Sequence, residues 1–345
     1  MAESVSCHTK RHETDSAIDR SRSGTRLDAV GSIDSMRFAK GHGTGNDFVI
    51  LPDPDGQLEL GPELVVRLCD RHFGIGADGV LRVVRTAAAG PDAAGQRAEW
   101  FMDYWNADGS VAEMCGNGVR VFAKYLIDEG LASGPDLAIA TRAGIRAVHA
   151  EADGQFTVDM GAAVVIGDGA AQAGDQRLIG LAISVGNPHL ACVVDQPVAA
   201  VDLSDPVVFG PAELAAGANV EVVRPLGDRE IEMRVHERGS GLTLSCGTGA
   251  VAAAVAAAAA AGEWPVGPGL PWTVHVPGGR LVVTPSGTAS LLTGPAAIVA
   301  AGEISASWLA GLGDAGSAAA VRSRAAASSG TGAGAALTSV GLSTA

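Results

Sequence analysis

The sequence predicts an α+β fold made of two similar halves. The pattern Cys-Gly-x-Gly occurs twice, at residues 115–118 and 246–249, and each copy runs straight into an apolar segment of helix-forming residues. Short strand-like segments lie before and after each copy. Repetition of a whole order of elements indicates two domains of the same design rather than a short repeated unit. A chain of 345 residues is long enough for two domains that each bury a core.

The first half is predicted to hold strands around one long helix. Apolar runs bounded by turn residues predict strands at 47–51, 80–84, 100–105, 137–140, 145–150 and 156–160, and a short helix at 61–69. After the first motif, apolar residues recur at the spacing of one helical face, namely Val119, Phe122, Ala123, Leu126 and Ile127. Gly130 is placed to end this helix.

The second half repeats that order. Strands are predicted at 182–185, 189–194, 220–223 and 230–235, before the second motif. A helix follows from Gly249 to about Ala261, where Gly262 can end it, and strands at 273–276 and 281–284 complete the half. Residues 1–35 and 307–345 are polar or of low complexity without periodicity, so we expect both tails to be disordered.

Composition excludes several classes of partner. A net charge of −14 and a pI near 4.9 argue against nucleic acid or an anionic membrane surface. No apolar run is long enough to cross a bilayer. The cysteines are odd in number, at five, and no secretory signal precedes them, so we expect reduced thiols in the cytoplasm.

Residues 74–79 match the Gly-x-Gly-x-x-Gly pattern of dinucleotide-binding loops. That fingerprint requires a strand before the glycines and a helix after them, whereas here a predicted helix precedes and a predicted strand follows. We therefore do not expect a nucleotide site.

The two motif thiols, Cys115 and Cys246, suit acid/base chemistry on an amino acid. A helix N-terminus presents unpaired N–H groups and partial positive charge, which favour a thiolate and bind a carboxylate. Inverting an α-carbon requires a base on one face and an acid on the other. One thiolate and one thiol on opposite walls meet that requirement in both directions, and the flanking Gly-x-Gly N–H groups can hold the developing charge.

Other interpretations of the cysteines are less consistent with the sequence. Cys69 and Cys192 lack the glycine context and are expected to be buried as small apolar residues. The body of the chain has no C-x-x-C or H-x-x-x-H spacing, so no zinc or other metal site is expected. A redox disulfide between Cys115 and Cys246 stays open, and we interpret it as an inactivated form.

The lysine count bears on the cofactor. Pyridoxal phosphate, the usual cofactor for this chemistry, needs a lysine for its Schiff base, and the chain has only Lys10, Lys40 and Lys124. Lys10 lies in the tail, Lys124 lies off the apolar face of its helix, and Lys40 lacks a phosphate-binding pattern. A mechanism without a cofactor is therefore favoured.

Seven blocks in order give the chain a resemblance to the diaminopimelate epimerase family over residues 36–306. They are KGHGTGNDF (40–48), RHFGIGADG (71–79), NADGS (106–110), MCGNG (114–118), GNPH (186–189), ERG (237–239) and CGTGA (246–250). The resemblance implies two pseudo-symmetric domains, each a mostly antiparallel sheet curled around a central helix, with the active site in the cleft between them. It also implies that the last strand returns to the first domain, which gives domains at 36–157 plus 293–306 and at 158–292.

The resemblance implies cofactor-free interconversion of LL- and meso-2,6-diaminopimelate, with Cys115 and Cys246 as the acid/base pair. The residues that it assigns to substrate binding are Asn46, Asn106, Gly116, Asn117, Asn187, Asn219, Glu237, Arg238, Gly247 and Thr248. His189 and Glu237 are expected to tune the thiols, and family analogy suggests a homodimer. Gly79 departs from the family, some members of which carry Gln there.

Two alternatives stay open at this point. A proline or hydroxyproline racemase resembles the chain in fold and in both Cys-Gly motifs, although that family typically has His where Asn117 stands. A catalytically silent binding protein on the same scaffold is the other, and the intact thiol pair argues against it.

Overall fold

The computed structural model describes residues 26–27, 33–264 and 269–311. Its first eight strands are β1 (Arg26–Leu27), β2 (Ile33–Gly43), β3 (Asn46–Pro52), β4 (Gly79–Arg85), β5 (Trp100–Asn106), β6 (Asp136–Thr141), β7 (Gly144–Ala150) and β8 (Phe156–Gly161). The others are β9 (Val164–Ala173), β10 (Gln176–Ser184), β11 (Pro188–Val193), β12 (Val207–Phe209), β13 (Asn219–Gly227), β14 (Glu230–Glu237), β15 (Gly241–Thr243), β16 (Trp272–Val276), β17 (Gly279–Thr284), β18 (Ser290–Gly294) and β19 (Ala297–Ser305). The helices are α1 (Pro62–Cys69), α2 (Gly116–Asp128) and α3 (Gly247–Ala260).

The two halves share one topology. In the first half, β2 to β8 pair in chain order, antiparallel except for the parallel pairs β3–β4 and β5–β6. In the second half, β10, β11, β13, β14, β16, β17 and β18 pair in the same sequence, and the parallel pairs β11–β13 and β14–β16 fall at the matching places. Helix α2 lies between β5 and β6, and α3 lies between β14 and β16. The predicted pseudo-symmetric α+β fold is therefore confirmed.

Crossed pairings join the halves. Strand β8 ends the first series, β18 ends the second, and the two pair antiparallel with each other. Strand β19 follows the second series but pairs with β2 at the start of the first, as β9 pairs with β10. The last strand thus returns to the first half, as expected. The boundary expected between residues 157 and 158 falls inside β8, and the domain limits stay a prediction.

Both motif helices are central elements. Helix α2 packs against β2, β3, β7, β8 and β19, and α3 packs against β10, β11, β13, β14 and β17. Residues 247–258 of α3 are all buried, because a helix of glycine, alanine and valine is apolar on every face and lets strands approach closely. One continuous apolar cluster contains residues of both helices, so the halves share a core.

The remaining predictions about organisation have mixed outcomes. The loop at 74–79 follows α1 and leads into β4, which confirms that it lacks the context of a nucleotide loop. Cys69 and Cys192 are buried, as expected.

Residues 306–311 are helical, and Trp308 Nε1 donates to Phe73 O at 3.0 Å, so the ordered chain extends past the predicted start of the C-terminal tail. Residues 26–27 and 33–35 form β1 and the start of β2, so part of the predicted N-terminal tail is also in strands. The rest of both predicted tails lies outside the described residues.

No helix within the described part of the chain is long and apolar enough to cross a membrane. In the same residues, no group of three or more His, Cys, Asp or Glu side chains is placed to hold a metal ion.

Candidate active site

The two motif thiols occupy equivalent places at the starts of the two central helices. Cys115 is the N-cap residue of α2, and its Sγ accepts a hydrogen bond from Gly118 N at 3.4 Å. Cys246 is the N-cap residue of α3, and its Sγ accepts from Gly249 N at 3.4 Å. Both cysteines have extended backbone, which ends the preceding segment and turns the side chain back over the first helical turn. Each thiol therefore lies against the positive end of a helix.

The starts of the two helices lie against each other. A Cβ on Gly247 would come within 3.3 Å of Gly116 Cα and 3.6 Å of Asn117 N. Asn117 Nδ2 donates to the carbonyl of Ser245 at 3.0 Å, which ties the first motif to the residue before Cys246. Because the capped ends of α2 and α3 are in contact, both thiols belong to one site.

Strand register extends the equivalence beyond the thiols. Gly79 opens β4 and pairs with Asn106 at the end of β5. In the second half, Asn219 opens β13, and the register of β13 with β14 places it opposite Glu237 at the end of β14. Asn46 at the start of β3 corresponds to Asn187, which directly precedes β11. The matched positions are thus Asn46 with Asn187, Gly79 with Asn219, and Asn106 with Glu237.

Asn46 lies beside the first thiol. Its Oδ1 accepts from Cys115 Sγ at 3.5 Å and from Asn117 Nδ2 at 3.3 Å. Its Nδ2 donates to Asp78 Oδ2 at 2.9 Å, which fixes the amide orientation that presents oxygen to the thiol. Asp78 was not predicted as a site residue, because its carboxylate contacts Asn46 and acts through it.

The second thiol has its own set of polar neighbours. Asn219 Nδ2 donates to Cys246 Sγ at 3.9 Å, and Thr248 Oγ1 lies 3.5 Å from the same sulfur. Asn219 Oδ1 accepts from Arg238 N at 2.9 Å, so one amide links the thiol to the end of β14. Glu237 accepts a hydrogen bond from Thr243 Oγ1.

Two predicted binding residues lie at the edge of the site. The Arg238 side chain is exposed, and its guanidinium donates only to the Gly217 carbonyl, at 3.3 Å, among the described residues. It is therefore free to take a carboxylate. Asn106 is half-buried, and its Nδ2 donates to Ser110 Oγ at 3.0 Å.

His189 does not contact either thiol directly. Its Nδ1 lies 2.7 Å from Glu221 Oε1 and its Nε2 lies 3.0 Å from Asn187 Oδ1, and both His189 and Glu221 are fully buried. The alternation of side chains along β13 puts Glu221 on the same face as Asn219, a signal that could have identified it. The role of His189 in tuning the thiols stays a prediction.

Burial governs the protonation of the site. It raises the pKa of Cys115 to about 11, with Glu237 adding to the rise and the Gly118 N–H opposing it. Burial raises the pKa of Cys246 well above its ordinary value, and the carboxylates of Glu237 and Glu221 raise it further. The pKa of Glu237 is itself raised by burial, although hydrogen bonds from Thr243 and Cys246 oppose the rise. The two thiols therefore ionise in unequal surroundings.

Solved structures identify the fold class. A hydroxyproline epimerase from Agrobacterium vitis covers 79% of this chain and 93% of its own length at a TM-score of 0.58 and 15% identity. A phenazine biosynthesis protein of the PhzF family from Bacillus anthracis covers 79% and 99% at a TM-score of 0.54 and 16% identity. The chain therefore has the two-domain α+β fold of these proteins.

The sequence relatives are more specific. The family described as Diaminopimelate epimerase matches residues 38–166 and 181–299. A protein of that name from Thermobifida fusca is 57% identical over 279 residues, which are 79% of this chain and 100% of that protein. Another from Streptomyces coelicolor is 52% identical over 285 residues, 80% of this chain and 98% of the relative. The chain belongs to the diaminopimelate epimerase family, a family of isomerases.

Proposed function

We propose that the protein interconverts LL- and meso-2,6-diaminopimelate without a cofactor, with Cys115 and Cys246 as the acid/base pair. One observation carries the proposal: the two thiols cap helices whose starts touch, so a single α-carbon can reach both. The relatives are named diaminopimelate epimerase, and that name supplies the substrate in this proposal. Because thiols stay reduced in the cytoplasm, we place the reaction there.

The two thiols together account for both proton transfers. A thiolate on one wall takes the α-proton, and the thiol on the opposite wall delivers its proton to the other face of the same carbon. The pair ends with its protonation reversed, so the protein in that state is ready for the reverse reaction. The titrations of two such thiols are coupled.

Backbone groups of the two motifs hold the reacting end of the substrate in this proposal. The first N–H groups of a helix have no intrahelical partner, and those of Gly116, Asn117, Gly247 and Thr248 stand at these positions. They bind the α-carboxylate and stabilise the negative charge that develops as the proton leaves. The Asn117 side chain acts differently, since its amide already bonds Ser245.

Side chains of the matched positions bind the other polar groups. The Arg238 guanidinium can form a bidentate hydrogen bond with a carboxylate, and the Glu237 carboxylate can form an ion pair with an ammonium group. The asparagines of both halves complete the set, namely Asn46, Asn106, Asn187 and Asn219. Gly79 adds no side chain, because a Cβ there would lie 2.5 Å from Trp105 O.

Hydrogen exchange with diaminopimelate and proline side by side tests the proposal. In deuterated water, LL-diaminopimelate should gain one solvent deuterium at one α-carbon per turnover, whereas proline should gain none. Cys115→Ser and Cys246→Ser should each slow epimerisation in both directions by several orders of magnitude. Exchange into proline at a comparable rate would instead assign a racemase, and unchanged turnover in either serine variant would refute the thiol pair.

A further inference from the structure

Arg120, in the second turn of α2, is a buried charge without a carboxylate partner among the described residues. The side chain is fully buried. Its guanidinium donates to four neutral oxygens: Gly116 O at 3.3 Å, Asn117 Oδ1 at 2.9 Å, Thr44 Oγ1 at 3.3 Å and Pro295 O at 3.3 Å. A buried cation is costly unless an anion compensates it. A group close to Arg120 that can become an anion would therefore be stabilised by it.

The pseudo-symmetry shows that this charge belongs to one half only. Arg120 lies five residues after Cys115, and the residue five positions after Cys246 is Val251, which is buried in α3. Beside α3, the second half instead has a carboxylate, that of Glu221. A Cβ on Gly118 would meet Leu81 at 3.4 Å, whereas a Cβ on the matching Gly249 would meet Glu221 Oε1 at 2.6 Å.

The thiol of Cys115, directly before Gly116, is a group next to Arg120 that can become the missing anion. Arg120 bonds both residues that follow Cys115, and its charge opposes the rise that burial causes in the pKa of that thiol. The other charged or titratable groups around the two thiols are Glu237, Glu221 and the buried phenol of Tyr104, and His189 lies behind them, bonded to Glu221 at 2.7 Å. Among the cationic side chains of the described residues, only the Arg120 guanidinium bonds a residue next to either thiol.

We propose that Arg120 is a positioning residue that fixes the order in which the thiols ionise: Cys115 loses its proton first, and Cys246 retains its own. The substrate-free protein is thereby biased toward the form in which Cys115 is the base. The same guanidinium holds the first turn of α2 against Thr44, whose Oγ1 donates to Ser245 Oγ at 2.7 Å, so charge and geometry are set together.

Alkylation with iodoacetamide between pH 7 and 10.5 tests the order directly. Peptide mass spectrometry follows adducts on Cys115 and Cys246 separately in the full chain. Only the thiolate reacts, so each rate rises with the ionised fraction. In the wild-type protein, the alkylation rate of Cys115 should rise at lower pH than the alkylation rate of Cys246. The opposite order overturns the proposal.

The variants separate charge from packing. Arg120→Met should slow alkylation of Cys115 at pH 8 about tenfold, which corresponds to a rise of about one pKa unit, and change Cys246 by less than about twofold. Arg120→Lys, which keeps the charge, should restore most of the rate. If Arg120→Met loosened the site, the reagent would enter more easily and alkylation of both thiols would become faster. That result contradicts the proposal, and so does equal slowing of alkylation at both thiols.

Val251→Ala is the matched control, because it disturbs the equivalent buried place in α3 without altering charge. It should leave the order of the two profiles unchanged, and a reversal would show that packing sets it. Should Arg120→Met fail to fold, Arg120→Gln takes its place with the same expected slowing at Cys115, since the carboxylates near Cys246 favour the same wild-type order without Arg120. The inference rests on the proposed acid/base roles, but alkylation needs no turnover. If the protein showed the predicted alkylation order but did not epimerise diaminopimelate, the proposed function would be refuted and the proposed ionisation order would stand.

Discussion

Gly116 and Gly247 meet where the two central helices begin, with room between them for no side chain. A Cβ on Gly247 would lie 3.3 Å from Gly116 Cα and 3.2 Å from Leu292 Cδ2. Contacts this short force the neighbours to move by a few tenths of an ångström. The contact sets the separation of the two thiols, so its effect should appear in the reaction rather than in stability.

Gly247→Ala is therefore expected to lower kcat by about tenfold to a hundredfold, because small misplacement of reacting groups has such effects. The free energy of unfolding should change by about 1 kcal/mol or less, since alanine also favours the helix. Steady-state kinetics and urea unfolding measure the two quantities. Gly118→Ala, where no atom would come closer than 3.4 Å, is the control. A loss of stability without a loss of kcat would contradict the assignment.

Gly249→Ala and Gly118→Ala form a matched pair at equivalent positions. A Cβ at Gly249 would lie 2.6 Å from the buried Glu221 Oε1, whereas one at Gly118 would lie 3.4 Å from Leu81. Overpacking a rigid core costs about 1–3 kcal/mol. Urea denaturation should show this loss for Gly249→Ala and a change of less than about 1 kcal/mol for Gly118→Ala. Equal effects would mean that the Glu221 side chain moves away freely.

The doubled motif predicted a helix after each cysteine, although α3 starts at Gly247 rather than at Gly249, and apolar runs between turn residues predicted most strands, because these elements depend on local pattern. Strand β9 was missed: its Gly- and Ala-rich sequence has weak strand propensity, and it forms because β10 and β12 pair with its two edges. Strand β18 depends in the same way on its partners β17 and β8.

The buried charges of the site could not be predicted from helical periodicity. The apolar spacing of α2 indicates one buried face, and Arg120 lies outside it. The structure buries residues 116–123 on all sides, because strands of the curled sheet surround the helix. That enclosure is a tertiary property, so a residue that the pattern assigns to solvent becomes a core cation.

Glu237 links stability to pH. Burial raises its pKa above the ordinary value of 4.5, so the folded protein binds this proton more tightly than the unfolded chain does. The ionised carboxylate therefore destabilises the fold at neutral pH, and this cost disappears as the pH falls through the raised pKa. Glu237→Gln should accordingly raise the melting temperature at pH 7.5, and the gain should shrink toward pH 4.

The same substitution should lower kcat/KM for diaminopimelate about tenfold to a hundredfold, since a hydrogen bond to a charged group is worth about 1.5–3 kcal/mol. Scanning calorimetry across this pH range checks the first effect. Glu59→Gln, at an exposed position, is the control and should change neither quantity. A stabilisation that does not depend on pH would exclude the ionisation of Glu237 as its cause.

Asp78 is expected to act through Asn46. Its Oδ2 accepts from Asn46 Nδ2 at 2.9 Å and so directs Asn46 Oδ1 toward Cys115. Asp78→Ala frees the amide to rotate, which should raise KM about tenfold and leave kcat within about threefold, because binding changes more than proton transfer. Arg71→Ala is the control, since it removes the ion pair with Asp78 at 2.7 Å, together with the two bonds from Arg71 to Asp47, and leaves Asn46 bonded to Asp78. Exposed pairs contribute about 0–1 kcal/mol, so KM should change by less than about threefold. If both variants raise KM equally, the charge network rather than the bond to Asn46 holds the site.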